Sequence, residues 1–174
     1  MTMSITATAQ TPKLSKNNID EVLHAMTLEE KASLLIGGEY DFWSTTAVAG
    51  NSSRTVPGAA GSTIAIPRLG IPETILTDGP AGVRINPTRP ETNKTFYATG
   101  FPVGSCLAAT WNTELASRVG KAIGNEVKAY NCDVILGPGM NIHRNPLCGR
   151  NFEYYSEDPL LTGKIAVGYV NGVQ

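Results

Sequence analysis

A long polar stretch between Asn141 and Pro159 holds the residue types in this chain that are best suited to chemistry. It reads Asn-Ile-His-Arg-Asn-Pro-Leu-Cys-Gly-Arg-Asn-Phe-Glu-Tyr-Tyr-Ser-Glu-Asp-Pro and shows neither helical nor strand periodicity. The apolar run Val134-Ile135-Leu136 comes shortly before it. Long loops inside compact domains are usually functional, and α/β proteins bind ligands where such strands end. We therefore predict a binding loop here. The alternative is a surface loop whose polar groups are hydrogen-bonded within the loop itself.

Several motifs in this chain resemble those of one enzyme family. The run from Pro146 to Pro159 resembles the long active-site loop of glycoside hydrolase family 3, in its β-glucosidase branch. Upstream, Thr77-Asp78-Gly79-Pro80-Ala81-Gly82-Val83-Arg84 is similar to that family's first substrate-binding motif. Phe101-Pro102 and Leu107-Ala108-Ala109-Thr110-Trp111-Asn112 match its connecting signatures in the right order. The likeness extends from about Met26 to Gln174, and ordered motifs are more specific than any single one.

The resemblance implies that Asp78, Arg84 and Arg150 bind the sugar. Charged groups hold hydroxyls well, because charge-assisted hydrogen bonds are roughly twice as strong as neutral ones. Asp78 ends a predicted strand and can accept from neighbouring ring hydroxyls, whereas Arg150 offers donors in a rigid planar fork. Arg84 lies six residues after Asp78 on the same loop. The alternative for each of the three is a buried ion pair.

The resemblance also implies a retaining mechanism that needs a nucleophile and an acid/base, two carboxylates about 5–5.5 Å apart. It assigns neither role to a residue of this chain. The family's nucleophilic Asp and its acid/base Glu are expected beyond Gln174, as is its Lys-His-Phe motif, and no cofactor or metal is implied. Glu153, Glu157 and Asp158 are instead expected to cap the following helix or to orient arginines.

Other candidate sites have less support. His143 and Cys148 lack further metal ligands at suitable spacing, so we predict a hydrogen-bonded loop histidine. Gly137-Pro138-Gly139 fails as a dinucleotide fingerprint, because Ile142 stands where the third glycine should be. Phe42-Trp43 can be read as an aromatic wall of a sugar site or as core packing, and the sequence leaves both open.

The elements that must position these residues alternate between strand and helix. Predicted strands span residues 73–77 and 133–136, and predicted helices are capped at Asn18, at Thr27 with Glu30, at Asn112 and at Asp158. The helix after Asn112 is expected to bury a stripe of Leu115, Val119, Ile123 and Val127, and the last helix Leu161, Ile165 and Tyr169. The apolar run of the second strand suits burial on both faces of a parallel sheet.

This order of elements predicts a parallel α/β fold. The pattern does not separate a doubly wound sheet from a barrel, but the resemblance implies a TIM-like (β/α)8 barrel. A complete barrel needs about 250 residues, and this chain has 174. We therefore expect residues 17–174 to form the leading part of a barrel, completed by the same or another chain. Residues 1–16 are predicted to be a disordered leader, and about 47–61 a flexible insertion rich in Gly, Ser and Ala.

Composition argues against several classes of protein. The net charge of −1 gives no electrostatic signature for nucleic acid or an acidic membrane. No apolar run approaches the ~20 residues that span a bilayer. The N-terminus has no apolar signal region, which predicts a cytoplasmic protein. The 3 cysteines have no CxxC spacing and do not indicate a disulfide framework.

Three functions remain for the structure to address. The first is the N-terminal part of a retaining exo-acting β-glycosidase that hydrolyses terminal non-reducing β-D-glycosyl residues of a β-glucoside or related saccharide, with the chain alone inactive. The second is a non-catalytic carbohydrate-binding module. The third is an unrelated nucleotide-binding α/β domain, disfavoured by the missing phosphate loop. The sequence does not distinguish a glucosidase from a xylosidase or an arabinosidase.

Overall fold

The computed structural model describes residues 11–36 and 55–174, which form an α/β fold. The α-helices of these residues are α1 (Ile19–Ala25), α2 (Leu28–Ile36), α3 (Gly104–Ala108), α4 (Thr113–Ala129) and α5 (Pro159–Val173). The strands are β1 (Gly61–Ser62), β2 (Ile75–Asp78) and β3 (Val134–Leu136), and single 3-10 turns lie at Pro67–Leu69 and Asn151–Glu153. None of these helices has the length and apolar character needed to cross a bilayer.

The three strands form one sheet in the order β1-β2-β3, with β1 antiparallel and β3 parallel to β2. Asp78, the last residue of β2, pairs with Leu136, the last residue of β3. At the other end, the Asp133 backbone N–H donates to the Ile75 carbonyl at 2.9 Å, and Asp133 Oδ2 accepts from the Ile75 N–H at 2.8 Å. The predicted parallel strands are therefore confirmed, and the chain leaves both of them at the same edge of the sheet.

The burial predicted for β3 is wrong. Val134 is 39% exposed and Leu136 is 46% exposed, whereas Ile135 between them packs against the main core cluster. Successive side chains of a strand point to opposite faces, so one layer of helices can cover only one of the two sets. Among the described residues, the core built by α4 and α5 covers the face that carries Ile135.

The core between α4 and α5 contains the buried side chains of both helices. These include Ala116, Ile123 and Val127 of α4 and Ile165, Ala166 and Tyr169 of α5. The predicted stripe on α4 is correct for Ile123 and Val127, whereas Leu115 and Val119 lie at its margin and are only partly buried. The buried face of α4 includes Ala116 and Gly120 instead, because the two helices approach each other closely there.

Glycines allow that close approach. A Cβ on Gly120 of α4 would overlap the backbone carbonyl oxygen of Tyr169 in α5, and a Cβ on Gly172 would overlap that of Ser117. The two helices therefore pack backbone against backbone at these points.

The N-terminal caps of α4 and α5 are also as predicted. Asn112 Oδ1 accepts from the Leu115 N–H at 2.9 Å. Asp158 Oδ1 accepts from the Leu160 N–H at 2.8 Å.

The N-terminal helices pack on the turn at Pro67–Leu69. The predicted capping box of α2 is confirmed, since the Thr27 N–H donates to Glu30 Oε2 at 2.9 Å and the Glu30 N–H donates to Thr27 Oγ1 at 3.2 Å. Arg68 joins this box to α1: its Nε donates to Glu30 Oε1 at 2.6 Å and its Nη2 to the Ala25 carbonyl at 2.8 Å.

The capping role predicted for the Asn18 side chain is wrong. Asn18 precedes α1, but its side chain makes no capping bond to that helix. Asn18 Oδ1 instead accepts from the Ser15 N–H at 2.7 Å, and its amide nitrogen donates to the Lys13 carbonyl at 2.8 Å. The preceding turn thus competes successfully for this side chain, as Asn often allows.

The predicted leader and insertion are only partly described. Residues 1–10 and 37–54, including Phe42-Trp43 and the first part of the insertion, lie outside the described residues. Within the expected leader, the Leu14 N–H donates to the Leu69 carbonyl at 2.7 Å. Within the expected insertion, Val56 and Ala59 are buried in the main core. These backbone and apolar groups have partners in the fold, and the boundaries of the leader and of the insertion stay predictions.

Candidate functional site

The carboxylate of Asp78 lies where β2 ends and the chain turns sharply. Asp78 is partly buried, and Gly79 follows it with φ 139°, a conformation that residues with side chains rarely adopt. A Cβ on Gly79 would also overlap the carbonyl oxygen of Gly82. The turn brings the chain back at once, so that the Arg84 N–H donates to the Asp78 carbonyl at 3.0 Å. Asp78 and Arg84 are therefore held together through their backbones.

Two further groups fix the same turn. Thr77, whose residue is fully buried, donates its hydroxyl to the Arg84 carbonyl at 2.9 Å. From the other side, Glu126 of α4 accepts from the Thr99 N–H at 3.0 Å and from the Thr99 hydroxyl. The carbonyl of Thr99 occupies the place that a Cβ on Gly82 would take. The turn after Asp78 is thus held from the sheet and from α4.

The polar stretch after β3 forms the predicted loop, with the 3-10 turn as its only regular segment. Its two ends are joined by a bond from the His143 N–H to the Ser156 carbonyl at 3.1 Å. Inside the loop, the Asn145 carbonyl accepts from the Cys148 N–H at 3.0 Å and from the Asn151 side-chain amide at 2.8 Å. Hydrogen bonds within the loop therefore hold the backbone from which the Arg150 side chain extends.

Arg150 is held by its neighbours on one side and is open on the other. Its guanidinium pairs with the Glu153 carboxylate and lies 5.9 Å from the Tyr154 ring centroid, while 71% of the side chain is exposed. The hydrogen bond and charge of Glu153 raise the pKa of Arg150, and the Asp78 carboxylate adds to this effect. Asp78 therefore lies close enough to Arg150 to act on it electrostatically. The predicted role of Glu153 in orienting an arginine is confirmed.

Of the three predicted site residues, Asp78 lies at the end of β2, and Arg150 of the long loop lies within its electrostatic reach. Arg84 is joined to Asp78 through its backbone, and its residue is exposed. Sequence reasoning missed the roles of Thr77 and Glu126. Thr77 lies inside the quoted motif, but its type alone did not indicate a bond across the turn. Glu126 carried no signal, because its partner Thr99 lies 27 residues away.

The predicted hydrogen-bonded histidine is only half correct. The backbone of His143 is bonded, but its buried Nε2 atom has no hydrogen-bond partner among the described residues. The centroid of its ring lies 6.4 Å from that of the Tyr154 ring, so this aromatic side chain is one of its neighbours. Across residues 11–36 and 55–174, no group of three His, Cys, Asp or Glu side chains is placed to hold a metal ion.

Comparison with known proteins gives the relatives of this chain. Residues 63–174 match the sequence profile of the glycosyl hydrolase family 3 N-terminal domain. The chain is 44% identical over 160 residues to thermostable β-glucosidase B of Acetivibrio thermocellus, a match that covers 90% of this chain and 18% of the relative. It is 43% identical over 153 residues to an exo-α-(1→6)-L-arabinopyranosidase of Bifidobacterium longum, covering 86% and 18% of the two chains.

Solved structures lead to the same family. β-Glucosidase 3B of Thermotoga neapolitana in complex with α-D-glucose superposes with a TM-score of 0.80 at 52% identity, covering 91% of this chain and 21% of that one. This chain therefore spans about a fifth of the length of the relatives that it matches. The profile match, the identities and the superposition agree with the motifs around Asp78 and Arg150, and the chain belongs to glycosyl hydrolase family 3.

Proposed function

We propose that this chain forms part of the sugar-binding site of a retaining, exo-acting β-glycosidase that hydrolyses terminal β-D-glucosyl or related residues. The observation that carries the proposal is that the Asp78 carboxylate, where β2 ends, lies within electrostatic reach of the Arg150 guanidinium on the loop after β3. A carboxylate accepts hydrogen bonds from ring hydroxyls and a guanidinium donates to them, so together they can orient a sugar ring. Ligands of parallel α/β folds bind at this edge.

The functions of the relatives support this substrate class. One of them is a β-glucosidase, another was solved with glucose, and a third removes an L-arabinopyranosyl residue from a chain end. Their substrates or ligands are thus a β-glucoside, glucose and an L-arabinopyranoside. We propose the same kind of ligand for Asp78, Arg84 and Arg150, with the glycosyl residue itself left to experiment.

The catalytic carboxylates are proposed to come from other parts of the protein. The retaining mechanism needs a nucleophile and an acid/base, and the nearby acids of this chain already have other tasks. Glu153 pairs with Arg150, and Asp158 caps α5. We also propose that β2, α4, β3 and α5 belong to a (β/α)8 barrel, because parallel strands joined through a helix are the repeating unit of that fold.

The test uses the protein that contains this chain. We expect it to hydrolyse p-nitrophenyl β-D-glucoside and to release β-glucose first, as proton NMR of the fresh product would show. The β-xyloside and α-L-arabinopyranoside, measured in parallel, assign the glycosyl residue. Residues 1–174 alone should give no turnover above background. Glucose binding without turnover by the longer protein would favour the carbohydrate-binding module instead, and release of α-glucose first would contradict retention.

A further inference from the structure

The hydroxyl of Thr77 is buried at a point where the sheet does not need it. Thr77 is 0% exposed, and its backbone pairs with Ile135 of β3. A valine of the same shape would fill the space equally well, so the hydroxyl needs another explanation. A buried hydroxyl without a partner is costly, and this one has a good acceptor in the Arg84 carbonyl at 2.9 Å. The Asp78 carbonyl lies farther away, at 3.4 Å.

Arg84 is consequently held at both of its backbone polar groups by the end of β2. Its N–H donates to the Asp78 carbonyl at 3.0 Å, and its carbonyl accepts from Thr77. The two bonds hold the peptide groups on both sides of the Arg84 Cα, and together they restrict the direction in which its Cα–Cβ bond leaves the backbone. The point and direction from which the Arg84 side chain leaves the backbone are thereby fixed relative to Asp78 by the end of β2.

We propose that Thr77 is a positioning residue for the sugar-binding site, which acts through the Arg84 carbonyl to keep Arg84 aligned with Asp78. This inference rests on the proposed function, because it assigns both charged residues to one sugar ring. Groups that must meet one ring are sensitive to small shifts, and a displacement of about 1 Å can lower a rate by about 10²-fold. Thr77 itself does not touch the sugar.

The decisive variant is Thr77→Val in the protein that contains this chain, since valine keeps the shape and loses the donor. We expect kcat/KM for the aryl β-glucoside to fall by about tenfold, and Thr77→Ser to restore it to within about twofold. The matched control is Thr63→Val. Thr63 Oγ1 accepts from the Thr74 N–H at 2.9 Å, next to the other end of β2. We expect this control to leave kcat/KM within about twofold.

A double-mutant cycle separates positioning from general destabilisation. If Thr77 acts through Arg84, then Thr77→Val should cost less than about twofold once Arg84→Ala has removed the side chain. Full additivity of the two changes would overturn the proposal, as would equal effects of Thr77→Val and Thr63→Val in an active enzyme. Either of these results would leave the glycosidase function standing.

Hydrogen exchange provides a readout that does not depend on activity. Thr77→Val should speed the exchange of the Arg84 amide, and Thr77→Ser should leave it near the wild-type rate, because only valine frees the turn. If the wild-type protein hydrolysed no β-glycoside, the proposed function would fail, and this measurement would still judge the positioning. Unchanged exchange of the Arg84 amide in a folded Thr77→Val protein would refute it.

Discussion

Asp78 combines a partly buried carboxylate with a backbone that the following turn fixes. Its side chain acts on Arg150 of the long loop, and its carbonyl accepts from the Arg84 N–H at 3.0 Å. Asp78 is therefore coupled to Arg150 through its side chain and to Arg84 through its backbone. The same arrangement would be a plain ion-pair network if no sugar bound there, so the two interpretations make different kinetic predictions.

Asp78→Ala should lower kcat/KM for the aryl β-glucoside by on the order of 10²–10³-fold, because sugar hydroxyls would lose a charged acceptor worth about 3–4 kcal/mol in the transition state. Steady-state kinetics and melting temperature should be measured together. Glu157→Ala is the control, since Glu157 is an exposed carboxylate of the long loop. Wild-type kinetics for Asp78→Ala, with loss of activity in a folded Glu157→Ala protein, would reverse the assignment.

Arg150→Lys should be severe although it preserves the charge. The guanidinium engages Glu153 on one side and remains 71% exposed on the other, and a lysine ammonium cannot reproduce this planar fork. We expect kcat/KM to fall by at least about tenfold with little change in melting temperature. Arg118→Lys on the exposed side of α4 is the matched control and should be neutral. Equal kinetics of the two variants would show that Arg150 does not bind substrate through its fork.

Among the helices, the contact of α4 with α5 is the most sensitive to added volume. Gly120→Ala should lower the free energy of unfolding by about 2–3 kcal/mol, because its Cβ would overlap the Tyr169 carbonyl oxygen and force the helices apart. Gly163→Ala is the matched control within α5, since nothing lies within 4 Å of its Cβ position. It should stabilise by up to about 1 kcal/mol through helix propensity. Equal melting temperatures for the two variants would contradict the observed packing.

The pair between Glu30 and Arg68 should make the packing of α2 sensitive to acid. The hydrogen bond from Arg68 lowers the pKa of Glu30, and the N–H of Thr27 adds to this. A carboxyl group whose pKa is lowered by folding stabilises the fold at pH values above its pKa in the unfolded state. This stabilisation is lost as the pH falls through its pKa in the folded state. When the pH is lowered from neutral to below 4.5, the free energy of unfolding should therefore fall more for the wild type than for the Glu30→Gln variant.

Denaturant unfolding at both pH values measures this difference, with Glu29→Gln as the control in the same turn of α2. Glu29 is exposed, so its loss should leave the pH dependence as it is in the wild type. A Glu30→Gln protein that lost stability in acid as steeply as the wild type would show that the pair with Arg68 is not responsible.

Local features of the sequence predict where the helices begin. The hydrogen bonds that sequence analysis missed are those whose partners lie across a turn or far along the chain. The capping box of Thr27 and Glu30 and the cap at Asp158 depend only on residues within the same turn, so their types were enough. The bond of Glu126 to Thr99 spans 27 residues, and that of Thr77 to Arg84 crosses a turn. Neither leaves a periodic pattern. The exposure of β3 depends on which faces of the sheet are covered by other layers, and a run of apolar residues does not predict this.

The described surface as a whole exposes large apolar side chains. Leu35 of α2 is 89% exposed, Trp111 is 77% exposed, and Leu160 of α5 is 68% exposed. Where such side chains gather into a patch, they mark contact surfaces or sites of association. We expect purified residues 1–174 to self-associate in light scattering and to bind the dye ANS. Leu35→Glu combined with Leu160→Lys should reduce both signals. A monomer without dye binding would contradict this expectation.

The bonds between Asp133 and Ile75 have a consequence for the opposite end of β2. They fix which residues of β2 and β3 stand opposite each other, and alternate residues of a strand face opposite sides. A slip of one position would send the Asp78 carboxylate into the core and turn the Thr77 hydroxyl outwards. Asp133, 58 residues along the chain from Ile75, thus helps to set which side chain of the motif faces away from the core where β2 ends.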